Sequence, residues 1–420
     1  MKSNYLRWAA FFFALFHIYC NVFASISELW LSAIHFGGFC ALCALISNES
    51  PTVQRKSATY WINILLAITA VSTSTYLILF ENALYARETE YILSDYIFSL
   101  VAIGLAIEFT RRTTGWFMPV LILLSLSYIL FLGRYIGGVF SFPGLSLETV
   151  LYRSFFTSEG MFGLTAQISS TFVFMFIIFG SFLLRSGAGD FIVRLAQCLA
   201  GRYTGGAGLV AVVGSGLMGS VSGSAVANTV STGVITIPMM KKSGFPGKFS
   251  AGVVAAASTG GALMPPVMGA GAFVLASYTQ IPYLTIIAAS TLPAILYFLT
   301  VCYFVRIEAK RLGLKLTPAE DTEKVSTVLK EGWHFIIPMI VLVSFLVIGR
   351  TPTTSAAFAI ISVIGASWLS STPMRLPDIF DATVEGVKTM VSTALLLVAV
   401  GIIINVVTTT GVGNAFSLMI

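Results

Sequence analysis

Apolar residues run along this chain in blocks long enough to cross a lipid bilayer, separated by short polar or charged breaks. A crossing helix takes roughly 20 mainly apolar residues. Read that way, the pattern predicts spans at 8–26, 28–47, 60–80, 94–110, 115–133, 161–185, 249–277, 284–306, 333–349, 354–370 and 384–408. Lys2 and Arg7 precede the first block as they would in a signal peptide. A second block follows almost at once and the cleavage pattern is weak, so the first is read as a membrane helix. The expected fold class is an all-α polytopic membrane protein of about 11 spans plus one re-entrant helical hairpin.

The hairpin is predicted where the block rule fails. Residues 207–240 read AGLVAVVGSGLMGSVSGSAVANTVSTGVITIPMM. Each arm, before and after a polar tip near Ser220–Ser224, has about 15 residues, or about 22 Å of helix against a core of about 30 Å. The tip holds Ser220, Ser222, Gly223 and Ser224, followed by Asn228, Thr229, Ser231 and Thr232. Glycine lets the backbone turn, while hydroxyls and an amide supply neutral oxygen ligands. The next span, 249–277, passes through Ser258, Thr259, Gly260 and Gly261 to Pro265 and Pro266. Adjacent prolines cannot continue a helix without losing backbone hydrogen bonds, so this span is expected to be discontinuous. A hairpin tip facing a broken helix is how secondary transporters hold a cation on carbonyls and hydroxyls, with half-helix N-termini facing an anion.

Plain packing competes with that reading. Gly219-x-x-x-Gly223 has the spacing that lets membrane helices approach closely. Packing accounts for glycine and alanine, but less well for Ser, Thr and Asn gathered at both breaks. Gly214-Ser-Gly216-Leu-Met-Gly219 also matches a dinucleotide fingerprint. It lies in a membrane hairpin, with no soluble strand before it and no acidic residue about 20 positions on, so that reading is discarded.

Composition sharpens the class. The 420 residues are 56% apolar and 10% charged, with mean hydropathy +0.90. A soluble domain carries roughly 25% charge, so a water-facing globule, a disordered chain and a nucleic-acid binder are excluded in spite of a pI near 9.0. The 37 Gly and 14 Pro demand many helix breaks, which a bilayer tolerates only where protein or a polar cavity receives the freed backbone groups. The excess of 24 Lys+Arg over 18 Asp+Glu sits mainly at Lys2, Arg7, Arg55, Lys56, Arg111, Arg112, Arg185, Arg194, Arg202, Lys241, Lys242, Lys248, Arg306, Lys310, Arg311 and Lys315. Those positions fall on one face if 207–240 enters and leaves from the same side, which places the N-terminus in the cytoplasm. The opposite loop, 81–93, carries Glu81, Glu88 and Glu90 against Arg87.

Chemistry is read from what the breaks hold and lack. Residues 203–240 and 249–305 contain no Asp, Glu, Lys, Arg or His. A proton-coupled carrier usually needs an intramembrane titratable relay, whereas Na+ needs only neutral oxygens, so sodium coupling is favoured. No phosphate-binding G-x-x-x-x-G-K-[ST] is present, and no organic cofactor is expected. His17, His35 and His334 read as packing or interface residues, and Cys20, Cys40, Cys43, Cys198 and Cys302 as small apolar ones. No nucleophile–base pair lies at mid-depth, so no enzyme is expected. The alternatives to a carrier are a passive ion channel or a non-transporting membrane assembly subunit.

Ser186-Gly-Ala-Gly189-Asp190-Phe191 follows one span, and Thr410-Gly-Val-Gly413-Asn414-Ala415 follows another of opposite orientation. An inverted repeat leaves such a pair. The first copy leads into the hairpin; the second meets the end of the sequence at Ile420 inside an apolar run, so a truncated or partial product is expected. The divisions that follow are a four-span bundle at 1–112, a connecting span and periplasmic loop at 113–160, a first repeat at 161–306, a cytoplasmic linker at 307–331 and the start of a second repeat at 332–420.

The stretch GSVSGSAVANTVSTGVITIPMMKKSGFPGKFSAGVVAAASTGGALMPPVMGA, residues 219–270, closely resembles the large membrane subunit of tripartite ATP-independent periplasmic (TRAP) transporters. TTGWFMPVLILLSLSYILFLGR at 113–134, with SEGMFG and FLLRSGAGDF, extends the likeness over roughly 113–315. The fit is best to the fused type, in which a small membrane subunit precedes the large one, and to those served by TAXI-class binding proteins. The front bundle fits the small subunit in position and span number, not in any sharp motif. The resemblance implies an ion-transporter-type elevator fold with inverted repeats and two re-entrant hairpins, located in the bacterial inner membrane. It implies Na+ symport and delivery of a small organic anion by a periplasmic TAXI-type binding protein. Carried over by position, Ser222, Gly223, Ser224 and Asn228 belong to the first hairpin tip, and Ser258, Thr259, Gly260, Pro265 and Pro266 to the broken helix. Ser220 and Thr229 flank them. A Na+ ion is expected at Ser222, Gly223, Ser224 and Gly260. The sequence departs from the family pattern in lacking the second hairpin and its partner helix.

Overall fold

The computed structural model describes residues 1, 3–51, 53, 57–314, 323–370 and 373–419. Lys2, Arg55, Lys56 and Lys315, counted above as cytoplasmic, and Ile420 lie outside the described residues. Among the described residues there is no strand. In chain order the helices are α1 (Asn4–Val22), α2 (Glu28–Ser47), α3 (Ala58–Arg87), α4 (Leu93–Thr114), α5 (Phe117–Leu130), α6 (Leu147–Leu151), α7 (Leu164–Ile168), α8 (Phe174–Leu183), α9 (Gly189–Ala200) and α10 (Gly206–Ser222). They continue with α11 (Ala225–Lys242), α12 (Gly247–Gly261), α13 (Ala270–Thr279), α14 (Tyr283–Arg311), α15 (Val325–Gly332), α16 (Ile336–Val347), α17 (Pro352–Ser367), α18 (Leu376–Thr410) and α19 (Val412–Met419).

Among the described residues, 7 helical runs are long and apolar enough to cross a membrane: Glu28–Ser47, Ala58–Arg87, Leu93–Thr114, Leu164–Ala200, Tyr283–Arg311, Val325–Val347 and Leu376–Thr410. The expected spans differ from these in identifiable ways. The first, at 8–26, is Asn4–Val22, where Arg7, His17 and Asn21 lower the apolarity. The span at 115–133 is a helix of 14 residues followed by a 3₁₀ turn, Leu132–Tyr135. The span at 354–370 is a helix of 16 residues. The span at 249–277 is two helices separated by 262–269.

The chain forms two compact units, Met1–Thr171 with Lys388–Ile420, and Phe172–Val387. In the first, α2 and α3 pack closely because Gly37 presents no side chain: a Cβ there would meet the Ala70 carbonyl at 3.0 Å. Ser74 on α3 donates to Ala33 O at 2.6 Å. Asp95, 1% exposed, caps α4 by accepting from Ile92 N at 3.1 Å, pairs with Arg87 at 2.9 Å and accepts from the Tyr76 hydroxyl at 2.6 Å. A buried carboxylate is tolerable only when so fully partnered.

In the second unit, Val210, Val212, Val254, Ala257, Met240 and Val305 form a core shared by α10, α11, α12 and α14. Lys241 and Lys242 end α11, and Lys310 and Arg311 end α14, where cations complement the helix dipole. Arg185 bonds both Asp378 at 3.0 Å and Asp381 at 2.9 Å, and Arg194 bonds Glu323 and Glu331, each at 2.8 Å. The five cysteines are free.

Candidate functional site

The second unit contains the hairpin. Its arms, α10 and α11, have 17 and 18 residues, still below the roughly 20 of a full crossing. The turn is tighter than the sequence implied. It consists of Gly223 and Ser224 alone, and Ser220 and Ser222 belong to the last turn of α10. Gly223 sits in the left-handed region at φ 60°, ψ −4°, and its N–H donates to Gly219 O at 3.1 Å, closing the helix. Ser224 opens the next helix as its N-cap, its hydroxyl accepting from Ala227 N at 3.3 Å.

The broken helix lies against this turn. A Cβ on Gly223 would collide with the Met268 carbonyl, and one on Gly269 would stand 3.3 Å from Gly223 O. Val267 N donates to Ser220 O at 3.3 Å, and Gly269 N to Ala262 O at 2.7 Å. Pro265 and Pro266 lie in the connecting segment, as their chemistry requires. The C-terminal ends of α10 and α12 meet backbone to backbone. A Cβ on Gly261 would lie 2.9 Å from Gly219 Cα and 2.7 Å from Asn228 Nδ2. From α8, Gly180 faces the same turn, 3.0 Å from Val221 O for a Cβ placed on it.

On α10, α11 and α12, three oxygens are buried without a hydrogen-bond partner: Ser222 Oγ, Asn228 Oδ1 and Ser258 Oγ. Ser222 is three residues beyond Gly219, Ser258 is three before Gly261, and Asn228 touches Gly261. Asn228 and Ser258 are 0% exposed, and Ser222 8%. Asn228 is anchored through its other atom, Nδ2 donating to Ser215 O at 2.8 Å, which aims the amide and leaves Oδ1 over. Each unmet buried group costs about 1–3 kcal/mol, so three cost several. A buried group without a partner in the chain is met by a water or an ion, or is held under strain.

The other predicted residues divide. Ser220 Oγ donates to Leu217 O at 2.7 Å, Thr229 Oγ1 to Ala225 O at 2.8 Å and Thr259 Oγ1 to Ala255 O at 2.8 Å. These hydroxyls are spent on their own helices. Gly260 has the ring of Tyr297 against it, and a Cβ there would overlap the ring. Gly216, part of the discarded dinucleotide match, lies under Phe298, with 3.1 Å from a placed Cβ to Cε1. That glycine pattern is therefore a packing pattern.

A family model described as "Tripartite ATP-independent periplasmic transporter, DctM component" matches residues 101–420. The chain belongs to this family. A C4-dicarboxylate TRAP transporter large permease protein of Pseudomonas aeruginosa is 27% identical over 235 residues, 56% of this chain and 55% of the relative. One of Rhodobacter capsulatus is 32% identical over 168 residues, 40% and 34% respectively. The 2,3-diketo-L-gulonate TRAP transporter large permease protein of Escherichia coli K12 is 26% identical over 225 residues, 53% and 52%. The chain spans about half the length of most of the curated relatives it matches. TRAP large permeases are multi-pass membrane proteins and not enzymes, as the sequence reading expected.

In this TRAP permease the two repeat-like segments share a backbone device. Gly187 in Ser186–Phe191 has φ 105°, and its counterpart Gly411 in Thr410–Ala415 has φ 71°. Each stands between a long helical run and the helix that follows, α9 or α19. Two features escaped the sequence reading. Tyr283 and Tyr297 on α14 bond the broken helix, at Val267 O (2.7 Å) and Ala256 O (2.8 Å). A tyrosine inside an apolar run must find a partner for its hydroxyl, which was the available signal. His17 and His35 are not lone residues: His17 Nε2 lies 3.1 Å from His35 Nδ1, and His35 Nε2 lies 3.0 Å from Ser169 Oγ.

Proposed function

We propose that this chain is the membrane permease part of a secondary, Na+-coupled, binding-protein-dependent uptake transporter for organic anions. The observation that carries the reading is that three mutually packed helices, α10, α11 and α12, each hold a buried neutral oxygen without a hydrogen-bond partner: Ser222 Oγ, Asn228 Oδ1 and Ser258 Oγ. Around them, residues 203–240 and 249–305 hold no Asp, Glu, Lys, Arg or His. The C-terminal ends of α10 and α12 add partial negative charge where they meet at Gly219–Gly261. Neutral oxygens with helix C-termini suit a small hard cation. Ser222, Asn228 and Ser258 hold it by side chain; Gly223, Ser224 and Gly260 contribute through backbone and shape.

The same fold sets two N-termini side by side. α11 begins at Ser224 and α13 at Gly269, and Gly223 and Gly269 are in contact. Paired helix N-termini favour an anion, and here they serve the substrate carboxylate. The relatives' names give the range of cargo, a C4-dicarboxylate in two and 2,3-diketo-L-gulonate in another.

The family match begins at residue 101, which leaves α1–α3 and the start of α4 before it. We assign 1–112 as the fused small subunit, with a cytoplasmic N-terminus in the bacterial inner membrane. The repeat pair at Gly187 and Gly411 supports an inverted-repeat elevator, and the partner that delivers the anion is a periplasmic binding protein of TAXI type. The decisive test is reconstitution in liposomes with an inward Na+ gradient and a cognate loaded binding protein. Uptake requiring both is expected. Flux without the binding protein means a channel, and uptake indifferent to Na+ but driven by a proton gradient removes the ion assignment.

A further inference from the structure

We propose that Tyr283 determines which cation the hairpin site accepts, an inference that rests on the Na+ reading above. Tyr283 is the first residue of α14 and is 7% exposed. Its hydroxyl lies 2.7 Å from Val267 O and 3.0 Å from Pro266 O, and donates to this carbonyl pair. Among the described residues no backbone N–H takes either oxygen. The ring is fixed by stacking on Phe273 of α13 at 4.4 Å and 14°. Phe176 of α8 closes its edge at 6.2 Å.

These two carbonyls belong to the segment that lies along the last turn of α10. Val267 N bonds Ser220 O, and the Met268 carbonyl abuts Gly223. They belong to backbone that flanks the turn of α10 carrying Ser222. By holding them, Tyr283 keeps the ligand number low and the break rigid. Cation choice in an all-oxygen site follows from ligand number, cavity size and stiffness. A small ion is served by few, fixed oxygens; a larger one gains when two more carbonyls come free. Tyr283 is therefore a positioning residue acting through the carbonyls it bonds.

Tyr297, 14 positions further along α14, supplies the internal comparison. It bonds Ala256 O at 2.8 Å and packs on Gly260, so it steadies α12 without occupying a carbonyl of the break. Loss of its hydroxyl should loosen the helix and leave ion choice alone.

The test is thermal unfolding of the purified full chain in lipid nanodiscs, titrated with NaCl, LiCl or KCl at constant ionic strength in choline chloride. The native chain is expected to gain Tm with Na+ and not with K+, since a ligand stabilises only the state that binds it. In Tyr283→Phe the Na+ midpoint should rise about tenfold, the size of one lost hydrogen bond, and K+ should begin to stabilise. Tyr297→Phe should lower the Tm in choline while keeping the Na+ over K+ order. If the native chain shows no Na+-specific gain, the ion reading itself fails. If it does and Tyr283→Phe keeps the native midpoint and selectivity, Tyr283 has no such role. Equal relaxation in Tyr297→Phe also overturns it, because the effect would then be general loosening of α14. Should Tyr283→Phe not fold, Phe273→Leu, which keeps the hydroxyl but unseats the ring, must give a smaller shift in the same direction; an unchanged midpoint there refutes the proposal.

Discussion

Two buried polar clusters stand in the two units of this chain, and they are solved in opposite ways. In the first unit, Phe13 O can only accept, so the nitrogen 3.0 Å from it, His17 Nδ1, carries a proton. His17 Nε2 then accepts from His35 Nδ1–H, and His35 Nε2 accepts from the Ser169 hydroxyl. With both rings neutral, every link has one donor and one acceptor. The chain is closed, and it ties α1 and α2 to the helical turn Ser169–Val173. In the second unit, Ser222, Asn228 and Ser258 are left with an oxygen each and nothing to bond. The difference separates structure from function. Unpartnered oxygens also occur in the first unit, at Ser32, Thr110, Ser154 and Thr165, so vacancy alone does not mark a ligand; the proposed site adds to it the absence of Asp, Glu, Lys, Arg and His from 203–240 and 249–305. Titratable residues are thus poor guides to the proposed site, since the two buried histidines bond each other and Ser169 while the proposed ligands are neutral oxygens.

The largest effect that would break this contrast belongs to the tip. Ser222→Leu removes an orphan oxygen and fills its place, so the Na+-dependent gain in Tm is expected to vanish, and with it Na+-driven uptake. The protein should still be recovered folded from the membrane, since a substitution of this kind costs about 1–3 kcal/mol of overpacking. Retention of a native Na+ response would mean the orphan at 222 has no ligand. Ser258→Ala is milder, because it deletes a hydroxyl that the protein itself leaves unbonded. Its Na+ midpoint should rise about tenfold, while the Tm without Na+ should stay level or increase. A fall in that Tm would reveal a structural partner for Ser258 and move it into the same class as the histidines.

Much of this was legible in the sequence, and the illegible parts have physical causes. The short arms of 207–240 and the Pro265–Pro266 break follow from apolar length and from proline's missing N–H, both local properties. The exact tip was not local. Ser220 and Ser222 look like turn residues, yet Ser220 returns its hydroxyl to Leu217 O at 2.7 Å and the helix runs on to Ser222. Only Gly223, the residue free to take positive φ, ends it. The His17–His35–Ser169 chain joins residues 18 and 134 positions apart, so no spacing announces it. The glycines at 216, 219, 260 and 261 were visible as a group, but whether each faces a backbone or an aromatic ring depends on α14, which the hairpin sequence does not encode.

The next effect is one of stability without function. His35→Leu cuts the polar chain at its centre and removes one hydrogen bond each from His17 Nε2 and Ser169 Oγ, a penalty of about 1–3 kcal/mol for each buried group. Thermal unfolding in choline should register the loss as a lower Tm, with the Na+ midpoint where it was. A shifted midpoint would mean the histidines act on the ion site, and the division between scaffold and site would fall.

The smallest effect is also the sharpest discriminator within the hairpin region. Thr259 is adjacent to Ser258 and shares its chemistry, so sequence placed both in the site. Its hydroxyl is nevertheless occupied, donating to Ala255 O at 2.8 Å on its own helix, and the residue is exposed. Thr259→Val keeps the branched shape and removes only that intrahelical bond. Exposed changes of this kind stay within about 0.5 kcal/mol, so neither the Tm nor the Na+ midpoint should move measurably. Neighbouring substitutions, Ser258→Ala and Thr259→Val, then give opposite answers for a reason visible in one distance. If Thr259→Val instead weakened Na+ binding as Ser258→Ala should, hydrogen-bond vacancy would not be what marks a ligand here, and the criterion that separates the two buried clusters would have to be abandoned.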